Sequence, residues 1–99
     1  MDIKSKVTGE KMEVVLSGVL DTRTAPELEK EVMGRIGEVN EIVFDFAELE
    51  YLTSAGLRIL LAAQQEMEDK DGTMVLHNVN EDIMEVFDTT GFVDVLTIE

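Results

Sequence analysis

The first part of the chain contains two short apolar stretches, residues 3–7 and 12–18, with Gly9 and Glu10 between them. Apolar runs separated by turn residues are typical of two strands joined by a tight turn. Three later runs also have the length and composition of strands, at residues 41–46, 73–77 and 95–98. The first of these three is apolar enough to predict burial on both faces of the strand.

Apolar residues at helical spacing fill the segments between these strands. The first helix is predicted to begin at Thr24, because Thr24 and Glu27 have the spacing of a capping box and Pro26 falls in the first turn. The same helix is predicted to end at Gly37. Two further helices are predicted, from about residue 54 to about residue 69 and from Asn80 to Thr90-Gly91.

Strands that alternate with helices predict parallel strand pairs joined by right-handed crossovers. We therefore predict one α/β domain over residues 1–99, with a mixed, mostly parallel sheet, an N-terminal antiparallel hairpin and three to four helices packed against the sheet. In such folds, functional residues collect where strand ends meet helix starts. Two loops of this kind, at Asp21-Thr22 and at Thr53-Ser54, would share one edge of the sheet if their strands are neighbours.

The second predicted helix has an unusual solvent-facing side. At about 100° per residue, its buried face is predicted to consist of Gly56, Ile59, Leu60, Ala63 and Met67. Ser54 falls opposite this face, together with Arg58. Leu61 falls there too, two turns after Ser54, and Ala62 lies at its edge. A single exposed leucine is common, so Leu61 is either an incidental surface residue or part of a docking patch with Ser54.

The charge of the chain narrows the class of partner. It has 22 acidic and 8 basic residues, with a formal net charge of −14. This charge repels the phosphates of nucleic acids and acidic lipid headgroups, so we expect neither nucleic acid nor membrane as a partner. It favours a basic protein surface, although the acids also keep a domain soluble. No apolar run approaches the ~20 residues of a membrane span, and the first residues lack a signal region, so a cytoplasmic protein is expected.

Ser54 is the residue with the most informative position. The first turn of a helix has free N–H groups and a partial positive charge, which suit either a capping hydroxyl or an added phosphate. Catalysis by Ser54 is disfavoured because a nucleophilic serine needs a nearby base, and the only histidine, His77, ends a strand with no evident carboxylate to orient it. The acids show no metal-loop spacing, so neither a metal nor a cofactor is expected.

Four segments match a known pattern in order. They are Gly18-Val19-Leu20-Asp21 with Thr24-Ala25, Ile42-Val43-Phe44-Asp45, Leu52-Thr53-Ser54-Ala55-Gly56-Leu57, and Phe87-Asp88 with Thr90-Gly91-Phe92. In order and spacing the chain resembles the STAS domains, specifically the bacterial anti-sigma factor antagonists, over nearly all of its length. Many members of that family have an aspartate where this chain has Thr53, while Gly56-Leu57 preserve the register that aligns Ser54 with the family's serine.

The resemblance implies a regulator rather than an enzyme. In the family, the serine matching Ser54 is phosphorylated by a serine kinase that is itself an anti-sigma factor, and Thr53 offers a less favoured second hydroxyl. The unmodified antagonist binds that kinase and frees the sigma factor, the phosphorylated form releases it, and a metal-dependent serine phosphatase restores binding. The docking surface is expected to contain Asp21, Thr22, Thr53, Ser54, Ala55, Arg58, Leu61 and Ala62. We expect a monomer. The alternative is a STAS scaffold or sensor module that binds a ligand or protein without phosphorylation.

Overall fold

Five strands form one sheet in the order β1-β2-β3-β4-β5, and helices connect the parallel strands. The structure, a computed structural model, describes all residues from 1 to 99. The strands are β1 (Asp2–Thr8), β2 (Lys11–Leu20), β3 (Glu41–Leu52), β4 (Thr73–His77) and β5 (Thr97–Ile98). The helices are α1 (Ala25–Met33), α2 (Ser54–Asp69) and α3 (Glu81–Thr90), with short 3-10 turns at Ile36–Glu38 and Phe92–Asp94. None of the helices has the length and apolarity needed to cross a membrane.

The sheet has the predicted mixed topology. β1 and β2 pair antiparallel, whereas β2–β3, β3–β4 and β4–β5 pair in parallel. The α/β fold with an N-terminal hairpin, predicted from the alternation of apolar runs, is therefore confirmed. Because β2 and β3 are parallel neighbours, their carboxyl ends lie at the same edge of the sheet. This places the Asp21-Thr22 loop beside the Thr53-Ser54 loop.

The core lies between the helices and one face of the sheet. The register aligns Met12 with Ile42 and Ile42 with Met74, and all three are buried on this face. Successive right-handed crossovers in one direction keep all three helices on the same side. Val43 and Asp45 point to the other face and are only half-buried. The prediction that the strand at 41–46 is buried on both faces was therefore wrong.

Several details of the elements differ from the predictions. β2 reaches Leu20 rather than residue 18, and the last strand covers Thr97–Ile98 rather than residues 95–98, because the 3-10 turn at Phe92–Asp94 precedes it. β3 continues to Leu52, through two irregularities in its register with β2, where a loop was expected. The first helix ends at Met33, and the 3-10 turn that follows is held by Lys70, whose Nζ donates to the carbonyl oxygens of Ile36 at 2.6 Å and Val39 at 2.8 Å. The capping box at Thr24 does not form, because its side chain bonds within the preceding loop instead.

Candidate functional site

The two loops at the carboxyl ends of β2 and β3 are joined directly. Leu20 and Leu52 are register partners and both are fully buried. Immediately after them, the N–H of Thr53 donates to the carbonyl oxygen of Leu20 at 2.9 Å. The Thr53 hydroxyl lies 3.5 Å from the same oxygen, which is long for a bond of this kind. The backbone therefore holds the start of α2 against the end of β2.

The Asp21 loop is ordered by its own hydrogen bonds. Asp21 Oδ1 accepts from the N–H groups of Arg23 at 2.9 Å and Thr24 at 3.1 Å. In return, Thr24 Oγ1 accepts from the N–H of Asp21 at 2.9 Å and donates to the carbonyl oxygen of Val19 at 2.9 Å. The backbone N–H of Arg23, followed by that of Thr24, lowers the pKa of Asp21 below its ordinary value of 3.8. Thr22 is exposed at the tip of this loop.

Ser54 is the first residue of α2 and is exposed to solvent, and its hydroxyl makes no hydrogen bond within the protein. The preceding Thr53 is half-buried and has an extended backbone, but its side chain does not cap the helix. Of the two roles left open for these hydroxyls, capping of α2 is therefore not observed. α3, in contrast, is capped by Asn80, whose side chain accepts from the N–H of Ile83.

The first turn of α2 also lacks an acidic residue, although the chain is strongly acidic overall. α1 has Glu27 in its first turn, and α3 has Glu81 and Asp82. A negative group added to Ser54 would therefore face the positive end of the helix dipole without a neighbouring carboxylate in that turn to repel it. This makes the exposed hydroxyl a position where a phosphate is compatible with the fold.

Gly56 sets how closely α2 approaches the sheet. A Cβ atom at this position would lie 2.6 Å from Cδ2 and 2.7 Å from Cγ of Leu20, closer than real Cβ atoms come to neighbouring carbons. The backbone of α2 thus packs directly on the Leu20 side chain. This contact fixes the position of Ser54, two residues earlier, relative to the Asp21 loop.

A family model described as STAS domain matches residues 2–99. The chain belongs to the STAS domain family. The match confirms the resemblance seen in the four sequence segments, and it covers nearly the whole chain. Members named as anti-sigma factor antagonists are regulatory binding proteins rather than enzymes.

Curated relatives of this STAS domain include such antagonists. BtrV of Bordetella bronchiseptica, by its name a candidate anti-sigma factor antagonist, is 32% identical over 85 residues, which make up 84% of this chain and 72% of that protein. The anti-sigma-B factor antagonist of Listeria monocytogenes is 23% identical over 100 residues, covering 100% of this chain and 87% of that protein.

Solved structures share the fold of this STAS domain. The anti-sigma factor antagonist SpoIIAA in its unphosphorylated form superposes with a TM-score of 0.81 at 23% identity, covering 99% of this chain and 87% of that one. The phosphorylated form of SpoIIAA, a Bacillus cell fate determinant, gives 0.80 at 24% identity, covering 99% and 91%. SpoIIAA has thus been observed in both states on the fold described above.

The burial of the α2 residues that follow Ser54 agrees in part with the prediction from the sequence of this STAS domain. Arg58 is exposed and takes part in no ion pair of the structure, since the three pairs are Lys11–Glu13, Arg35–Glu31 and His77–Glu99. Ala55, Leu61 and Ala62 are half-buried. The buried face predicted from helical spacing left out two buried residues, Leu57 and Gln64. That prediction assumed that α2 has a single buried face towards the sheet and did not include contacts at the side of the helix.

His77 is remote from Ser54 along the sheet. It pairs in register with Asp45, and β3 continues to Leu52 before α2 begins. Its Nε2 lies 3.7 Å from Glu99 Oε1, which is beyond hydrogen-bond distance, so this carboxylate does not orient the imidazole ring. Asn78 donates to Asp45 Oδ1 at 3.0 Å, and this bond is the main cause that lowers the pKa of Asp45. None of these groups provides Ser54 with a base.

The sequence reading also missed two exposed residues at this edge. Val19 and Tyr51 are register partners on β2 and β3, one position before Leu20 and Leu52, and they are 38% and 43% exposed. Glu50 and Tyr51 are both exposed between buried Leu49 and Leu52, so no alternation along the strand marks Tyr51. The sequence carried no local signal for it, and the segment was interpreted as a loop.

Proposed function

We propose that this STAS domain is an anti-sigma factor antagonist that works as a phosphorylation-controlled partner switch. The unphosphorylated domain binds a serine-kinase anti-sigma factor and thereby releases the sigma factor. Phosphorylation of Ser54 ends the binding, and a metal-dependent serine phosphatase reverses it. In this proposal the domain acts as a monomer in the cytoplasm. The observation that carries it is the exposed, unbonded hydroxyl of Ser54 beside the ordered Asp21 loop.

The proposed contact surface contains Asp21, Thr22, Thr53, Ser54, Ala55, Arg58, Leu61 and Ala62. The first four of these residues belong to two loops joined by the Thr53–Leu20 hydrogen bond. The others follow along α2, where Arg58 is exposed and Leu61 is half-buried. Ser54 is favoured over Thr53 as the phosphate acceptor because its hydroxyl is exposed, whereas the hydroxyl of Thr53 is directed towards the Leu20 carbonyl.

Electrostatics explain how the phosphate would act. It adds about −1.5 to −2 charges, which water and the α2 terminus can solvate in the free domain. A docked partner removes that water, and a charge left unpaired in an interface costs about 2–5 kcal/mol. At about 1.4 kcal/mol per tenfold change, affinity falls by roughly tens to thousands of times. The domain itself need not refold, because Ser54 lies outside the core.

Two measurements test the proposal. Intact mass after incubation with ATP and candidate serine kinases should show one added phosphate on the wild type and on Thr53→Val, and none on Ser54→Ala. Affinity for the kinase that phosphorylates the domain should be retained by Ser54→Ala and strongly reduced by Ser54→Asp. Equal affinities for these two variants would contradict the switch. Absence of phosphorylation by every candidate kinase would instead favour the scaffold or sensor alternative.

A further inference from the structure

The structure exposes four large apolar side chains, and two of them lie side by side next to the Ser54 edge. These are Val19 and Tyr51, which are register partners on β2 and β3, while Val7 and Val95 lie elsewhere. A single exposed apolar residue needs no explanation. Here two such residues are register partners one position before Leu20 and Leu52, so they form a small apolar patch beside the loops that carry Asp21 and Ser54. Tyrosine in particular is enriched at protein interaction surfaces.

Tyr51 forms one wall of a groove with a volume of about 440 Å³. The opposite wall is a face of α3, formed by Asp82, Glu85, Val86, Thr89 and Thr90. Asn80 anchors α3 there, because its side chain donates to the carbonyl oxygen of Leu49 at 3.0 Å and also caps the helix. The groove is therefore held by hydrogen bonds to the same strand that carries Tyr51.

The chemistry of this groove is aromatic and anionic. Asp82 and Glu85 are exposed carboxylates that take part in no ion pair or side-chain hydrogen bond of the structure. Val86 is a half-buried apolar residue that also lines the groove. A guanidinium group stacks on a tyrosine ring, pairs with carboxylates in a planar fork and carries an aliphatic stem that packs on apolar side chains. Arginine thus matches the tyrosine ring, the carboxylates and the apolar side chain that line the groove.

We infer that this groove binds an arginine side chain of the protein that docks on the Ser54 edge. The identity of that protein rests on the proposed function, whereas the chemistry of the side chain rests on the groove alone. Tyr51 lies three positions before Ser54, so one partner can cover both. The net charge of −14 favours a basic protein as the occupant and opposes nucleic acid and anionic lipid. The groove would increase the affinity for the partner and fix its orientation, and it would do so away from the position of the phosphate on Ser54.

The first test does not require the partner. Tyr51 is the only tyrosine of the chain, so biosynthetic incorporation of 3-fluorotyrosine places a single ¹⁹F NMR label in the groove. The probe is N-acetyl-arginine amide, and its control is N-acetyl-citrulline amide, which keeps the shape and lacks the charge. We expect a saturable shift with the arginine compound only. It should disappear in the double variant Asp82→Asn/Glu85→Gln and persist in Asp88→Asn, an exposed acid of α3 outside the groove.

Equal shifts with both compounds, no saturable shift, or a shift that survives in the double variant would overturn the inference. The second test uses the kinase that phosphorylates Ser54. Tyr51→Ala and the double variant should each bind it about tenfold more weakly, with unchanged thermal unfolding, and Asp88→Asn should bind like the wild type. Variants that bind normally while Ser54 is still phosphorylated would overturn the groove and leave the switch intact. If no kinase binds the wild type, the proposed function fails and the ¹⁹F titration decides the groove.

Discussion

The backbone N–H of Thr53 donates a hydrogen bond of 2.9 Å to the carbonyl oxygen of Leu20. This bond joins the last residue of β2 to the residue that precedes α2. The two loops that follow these strands therefore form one surface in the free protein, with Asp21 on one side and Ser54 on the other. A partner that binds a preformed surface loses less affinity to the ordering of loops.

The close approach of Gly56 to Leu20 predicts a specific sensitivity. Gly56→Ala should lower the free energy of unfolding by about 1–3 kcal/mol, because the added methyl group overlaps the Leu20 side chain and forces α2 away from the sheet. Gly37→Ala is the matched control, since a Cβ there meets nothing within 4 Å. Urea denaturation measures both. Equal stabilities for the two variants would show that α2 can shift freely at its start.

Two adjacent leucines of α2 should behave differently. Leu61 is half-buried and belongs to the proposed contact surface, whereas Leu60 is fully buried. We expect Leu61→Ala to weaken binding to the kinase with little loss of stability. Leu60→Ala should cost about 2–5 kcal/mol of stability by leaving a cavity. Thermal unfolding and binding isotherms separate the two effects, and a large stability loss for Leu61→Ala would assign Leu61 to the core.

Asp21 should contribute to stability in a pH-dependent way. Its pKa in the folded state lies below the ordinary value of 3.8, mainly because of the N–H of Arg23. A lowered folded-state pKa means that the ionised group stabilises the fold above the unfolded-state pKa, and that this stability disappears as the pH falls through the folded-state pKa. Asp21→Asn keeps an acceptor oxygen but cannot ionise. The difference in unfolding free energy between wild type and variant should therefore shrink between about pH 7 and about pH 2.

This pH experiment has a matched control in Asp88→Asn, because the Asp88 carboxylate is exposed and accepts no hydrogen bond in the structure. The wild type minus Asp88→Asn difference should change less over the same range. If the Asp21→Asn difference stays constant with pH, the hydrogen bonds to Asp21 do not depend on its charge.

Arg58 should respond to phosphorylation of Ser54. The two residues are one helical turn apart on an exposed surface, and Arg58 has no carboxylate partner. A pair at this spacing contributes about 0.2–0.5 kcal/mol, so Arg58→Gln should raise the second pKa of phosphoserine 54 by up to about 0.4. ³¹P NMR titration measures this pKa. Arg23→Gln serves as the control, because it removes one positive charge from the neighbouring loop. Equal phosphoserine pKa values in the wild type, Arg58→Gln and Arg23→Gln would contradict a pairing of Arg58 with the phosphate.

The sequence alone determined the order of elements along the chain and the mixed, mostly parallel pairing of the strands, whereas the order of the strands in the sheet came from the structure. Apolar runs of strand length alternate with runs at helical spacing, and short connections leave right-handed crossovers as the available way to join parallel neighbours. The location of Ser54 at a helix start followed in the same way, from Thr53 and Ser54 between two apolar segments. These features depend on local spacing, which can be read directly along the chain.

Tertiary structure decided what the side chains at those places do. The Thr24 hydroxyl turned to Asp21 and Val19 instead of capping α1, because those partners are brought close by the loop. The need for Gly56 arises from Leu20, on a strand that is distant in sequence. The groove at Tyr51 exists only because β3 extends past β4 and α3 packs beside it. Such contacts join residues that are far apart in the chain, so no local sequence pattern indicates them. Each side chain could form several different hydrogen bonds or contacts, and the packing of the folded chain decides which of them form.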